Sequence, residues 1–105
     1  MPLTRDFKHT IRTRVLADAA FGPALLSGAV ELLLSGDVET GKSVLRDYIN
    51  ATIGFEALSQ KVGTPAKSLM RMFGAKGNPR ADNLFRVIGA LQQSNGVQLE
   101  VGVAA

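Results

Sequence analysis

Two groups of residues in this 105-residue chain have types and spacing that could do chemistry. The first is GDVETGKS at residues 36–43, which fits G-x-x-x-x-G-K-[ST], the pattern of a loop that wraps a nucleoside triphosphate in backbone N–H groups and a lysine. The second is a run of cations, Lys61, Lys67, Arg71, Lys76 and Arg80, with no acidic residue between Glu56 and Asp82. Cations gathered in this way set up a local field that attracts phosphates. The net charge is +3, and the excess lies in one half: residues 1–54 carry six basic and six acidic side chains, residues 55–105 six and three.

A triphosphate loop joins a buried strand to a helix, so that N–H groups and the helix dipole converge on the anion. Here the residues before position 36 have helical spacing instead, with Leu26, Val30, Leu33 and Leu34 at three- and four-residue steps. Asp37 and Glu39 place two carboxylates where the polyanion would sit, and like charges repel. The acids after Asp47 are Glu56, Asp82 and Glu100, none at the end of a buried apolar run where a magnesium-holding carboxylate belongs. The stretch therefore reads as a helix junction, with Gly36 ending one helix and Asp37 capping the next. Tyr48 has no base or nucleophile beside it and reads as core, and His9, without a second histidine or any cysteine, is no metal ligand. The chain is expected to be no enzyme and to hold no cofactor or metal.

The elements that must position the cations are mostly helical. Phe7, Ile11, Val15 and Leu16 form one amphipathic stripe, which meets the Leu26–Val30–Leu33 stripe near Gly22 and Pro23. A helix capped by Asp37 uses Val44, Leu45, Tyr48 and Ile49, and Gly54 closes this part. A first short helix over 55–62 turns Phe55, Leu58 and Val62 inward, and Gly63 supplies a tight turn. Thr64 is expected to cap a second short helix with Pro65 at its first position. That helix hides Leu69, Met72 and Phe73 and shows Lys67, Ser68 and Arg71, with Ala66 near the tip; Met70 reads as packing. A longer helix over 81–93 follows on Leu84, Val87, Ile88 and Leu91. Last comes VQLEV at 97–101, whose strict alternation predicts a short half-buried strand with an edge open to a second copy or a partner chain.

The composition, 46% hydrophobic and 20% charged, suits one compact domain. It divides into a helical extension, 1–54, for dimerisation or partner binding, and a helix-turn-helix part, 55–105, ending in the strand. The lack of cysteine accords with a reducing compartment, and the expected location is cytoplasmic. The longest apolar run, near 24–34, is broken by Ser27, Gly28 and Glu31 and falls short of the roughly 20 residues of a bilayer span. No stretch resembles a cleaved secretory signal.

The run LSQKVGTPAKSLMRMFGAKGNP, residues 58–79, is similar without a gap to the DNA-binding core of lambda-repressor-like, or Xre-type, regulators. Leu58, Gly63, Thr64, Leu69, Arg71, Asn78, Pro79 and Leu84 fall in register with that family. Within it, GFEALSQKVG, the GNP loop and the GVQLEV ending resemble the HigA-like addiction-module antidote proteins encoded beside RelE/ParE-type toxins. The resemblance implies an all-α, lambda-repressor-like helix-turn-helix bundle with the N-terminal helical extension and the C-terminal strand added. It also implies a homodimeric repressor that binds double-stranded operator DNA and masks a toxic ribonuclease. Carried over residue by residue, Ala66, Lys67 and Arg71 are base-edge readers with Ser68 beside them, and Thr64, Lys76, Asn78 and Arg80 meet phosphates. Phe55 stands where many phage repressors place a phosphate-binding glutamine, so that contact is missing and Phe55 reads as core.

Other readings stay open beside this one. A solvated i,i+4 face is the weaker alternative for Lys67 and Arg71, given the gapless match and the acid-free run. The helix-turn-helix could serve only as scaffold while residues 1–54 grip a toxin or another subunit. Against the arguments above stands a nucleotide-binding enzyme built on GDVETGKS.

Overall fold

The computed structural model describes residues 20–104 and, before them, Ile11 and Thr13, both helical. The remainder of the stripe expected from Phe7 to Leu16, and His9, lie outside the described residues. Over the described residues the chain is all-α: α1 (Phe21–Leu34), α2 (Val38–Ala51), α3 (Phe55–Val62), α4 (Ala66–Met72) and α5 (Ala81–Asn95). None of these helices is long and apolar enough to cross a membrane.

The helix start expected near Gly22 and Pro23 is met one residue ahead of the pair: α1 begins at Phe21, directly after a turn at Ala20, and takes Gly22 and Pro23 into its first turn. Pro23 sits in the first turn, where a missing N–H leaves no intrahelical bond unmade. At the other end Ser35 and Gly36 turn the chain, Gly36 with φ +92°, and the Asp37 carboxylate accepts the Thr40 N–H at 3.2 Å to cap α2. The stretch expected to be a helix junction is one. The hairpin of α1 and α2 is close-packed at Gly41, where a Cβ would stand 2.8 Å from the Leu33 side chain and 3.1 Å from the Ala29 carbonyl.

One buried cluster joins the elements: Leu26 and Ala29 of α1, Leu45, Tyr48 and Ile49 of α2, Phe55 and Leu58 of α3, then Leu69, Phe73, Val87, Ile88 and Leu91. The Phe55 and Phe73 rings lie 6.5 Å apart, inclined by 49°. Burial pushes the Tyr48 hydroxyl above its ordinary pKa of 10.0. A raised folded-state pKa leaves stability whole below the unfolded value and erodes it as pH climbs towards the folded one. Thermal unfolding is thus expected to show a loss of stability setting in above pH 10 that Tyr48→Phe abolishes.

Two expectations change. The N-cap of α4 is Pro65, with φ −55° and ψ 141°, not Thr64, and no side chain caps the helix. Proline's ring fixes φ, the extended ψ puts it just outside the helix, and its carbonyl accepts the Leu69 N–H at 3.1 Å. Residues 97–101 form no strand, since the described residues contain no strand for them to pair with. Their N–H groups turn to Gln92 instead: Val97 donates to its carbonyl at 3.1 Å and Leu99 to its side-chain oxygen at 2.8 Å.

Candidate nucleic-acid interface

The sequence builds the site from α3, the turn at Gly63, α4 and the loop 73–80. Gly63 takes the left-handed conformation, φ +72°, and its N–H closes α3 on the Ser59 carbonyl at 2.9 Å. The rotation of α4 about its axis is fixed by Leu69, and Phe73 just beyond its end is buried with it. Lys67 and Arg71, one turn apart, are therefore left on the exposed side.

After α4 the chain folds back tightly. The Gly74 N–H meets the Arg71 carbonyl at 3.2 Å and the Gly77 N–H meets the Gly74 carbonyl at 3.0 Å. A Cβ on Gly77 would overlap the carbonyl oxygens of Arg71 and Met72, so only glycine fits there. The fold-back brings Ser68, Arg71, Lys76 and Asn78 together around one shallow depression of about 350 Å³, completed by Met72 and Gly77. Arg71, Lys76 and Asn78 are exposed, and Ser68 is half-buried.

The other expected site residues do not line this depression. Lys67 is exposed on α4, whereas Thr64 and Ala66 are half-buried, Ala66 against the core. Arg80 is exposed and its Nε lies 3.5 Å from the Asp82 carboxylate, an ion pair in water that a phosphate can displace. Phe55 is buried, as its core reading requires. Met70 is not the packing residue expected: it is 47% exposed and stands on the turn of α4 that carries Lys67 and Arg71.

One residue of the site was missed on its proper ground. Lys42, the lysine of GDVETGKS, is only 3% exposed, and its ammonium donates to the Gly77 carbonyl at 2.5 Å. It also reaches Glu39, 76% exposed, at 3.5 Å. A cation on α2 thus clamps the loop at the glycine that lies between Lys76 and Asn78. The signal was available, because Lys42 precedes Leu45 by three residues and Ile49 by seven, which puts it on the buried stripe of α2.

The depression can hold an extended, anionic backbone: two long cations, an amide and a hydroxyl converge on it, and no carboxylate belongs to its lining. Among the described residues no cluster of three or more His, Cys, Asp or Glu side chains is placed to hold a metal. No family model matches this chain, and neither a curated protein nor a solved structure matches it, so the site is read from its own residues and geometry.

Proposed function

We propose that the chain is a sequence-specific, DNA-binding transcriptional regulator in which α3 and α4 act as a helix-turn-helix. In that reading α4 enters the major groove, and its seven residues span about 10 Å, within the roughly 12 Å width of that groove. The observation that carries the proposal is the meeting of Ser68, Arg71, Lys76 and Asn78 at one depression beside the exposed Lys67. Arg71 has the planar fork that pairs with guanine O6 and N7, and Lys67 can reach the same edge. Lys76, Asn78, Arg80 and Thr64 border α4, where phosphates flank the groove. The buried clamp from Lys42 to Gly77 supports the reading, since it fixes the loop that carries two of these groups.

The proposal separates the residues by effect. In selection from a pool of random duplexes, Arg71→Ala is expected to cost about 1–3 kcal/mol and to relax preference at one base position. Lys76→Ala is expected to weaken every duplex alike and to reduce the salt slope by about one. If both variants bind the selected duplex as tightly as the parent, this surface is not the DNA interface.

Within the regulator reading, the resemblance of GFEALSQKVG, GNP and GVQLEV to HigA-like proteins supports an autorepressing antitoxin with a RelE/ParE-type partner and a cytoplasmic site of action. Co-expression with the product of the adjacent gene tests this. A co-purifying complex and relief of growth arrest are expected, and a neighbour that neither binds nor arrests growth contradicts it.

A further inference from the structure

Beyond α5, residues 97–101 keep the alternating pattern of a strand but pair with none among the described residues. Gly96 ends the helix in the left-handed conformation, φ +63°. Burial then alternates with period two: Val97 and Leu99 are half-buried, Gln98 and Glu100 exposed. The N–H groups of Val97 and Leu99 both turn inward to Gln92. In an extended chain the backbone groups of Gln98 and Glu100 then face the other way, and among the described residues neither has a hydrogen-bond partner. The apolar stripe continues outward into Val101, 82% exposed, and Val103, 99% exposed. Beside it lies a groove of about 550 Å³ bordered by Pro23, Val30 and the exposed Leu34 of α1.

We propose that this segment pairs with the same segment of a second copy, as an antiparallel two-stranded ribbon about a two-fold axis at Leu99. The occupant follows from the order of residues. With Leu99 opposite its twin, Val97 faces Val101 and Gln98 faces Glu100, so apolar meets apolar and no like charges oppose. A shift of one residue sets valine and leucine against glutamine and glutamate; centring on Glu100 opposes two carboxylates. The free backbone groups agree, because Gln98 and Glu100 become the hydrogen-bonded pair and Leu99 the close, non-hydrogen-bonded one. A contact that uses one patch on both copies closes as a dimer and leaves no edge for further growth. The ribbon stands independently of the DNA reading, although a two-fold dimer would offer two α4 helices to a palindromic site.

The test needs no DNA. Sedimentation equilibrium of the full chain at micromolar concentration is expected to give twice the 11.1 kDa chain mass. Glu100→Pro removes an outward N–H from an exposed residue, and is expected to halve the measured mass while the helical circular dichroism is kept. The chain has no cysteine, so Leu99→Cys introduces the only thiol; mild oxidation is expected to cross-link it as a dimer, and Gln93→Cys, exposed on α5, is expected to stay monomeric on a denaturing gel. A monomeric parent, a dimer that Glu100→Pro leaves intact, or Leu99→Cys that cross-links no better than Gln93→Cys would overturn the proposal.

Discussion

Replacing Gly77 with alanine is expected to lower stability by roughly 3 kcal/mol and to remove the proposed DNA binding with it. The added methyl group would overlap the carbonyl oxygens of Arg71 and Met72. These are backbone atoms at the end of α4, which no rotamer change can move aside. Either α4 unwinds its last turn or the loop swings outward, and each takes Lys76 and Asn78 away from Arg71. The same movement withdraws the carbonyl that receives the Lys42 ammonium. Urea unfolding checks the first effect: a lower midpoint at unchanged slope reports lost stability, whereas an unchanged midpoint means the loop has room that the geometry denies it.

Lys42→Met is expected to cost about 2 kcal/mol. Methionine keeps the unbranched stem in the core but cannot donate, and the Gly77 carbonyl loses a charge-assisted hydrogen bond. A buried ammonium is itself costly, which works against this loss. The bond wins because removal leaves an acceptor with no partner, and because Glu39, 76% exposed, supplies only a weak counter-charge. Duplex affinity is expected to fall more than Lys76→Ala alone lowers it, since Lys76 and Asn78 both depend on the clamp. ATP with magnesium is expected to give no calorimetric heat with the parent, because the lysine a phosphate would need is engaged by Gly77. Heat release that Lys42→Met abolishes would restore the nucleotide reading.

Periodicity made the helices legible. Leu45, Tyr48 and Ile49, and later Val87, Ile88 and Leu91, are buried as their three- and four-residue spacing demands. The turn at Gly63 and the cap at Asp37 were also visible, because only certain residues take those conformations cheaply. Effects beyond the local chain were harder to read. Alternation at 97–101 reports an extended backbone but not whether a partner strand exists. Met70 and Met72 have the same composition and nearly the same neighbours, yet opposite sides of α4 separate them: one is 47% exposed and the other is packed on the core. Lys42 was hidden by its motif, since a lysine in GKS invites a phosphate when its helical position points to the interior.

Titrating a random-sequence duplex with the parent chain at rising salt decides whether the face of α4 with its loop binds DNA as proposed. Lys67, Arg71, Lys76 and Arg80 are exposed and close to one another in sequence, so the logarithmic slope per chain is expected to lie between about −2 and −4. Arg71→Ala with Lys76→Ala is expected to flatten it by about two. No binding at low salt, or binding that neither salt nor the double substitution weakens, would contradict the account.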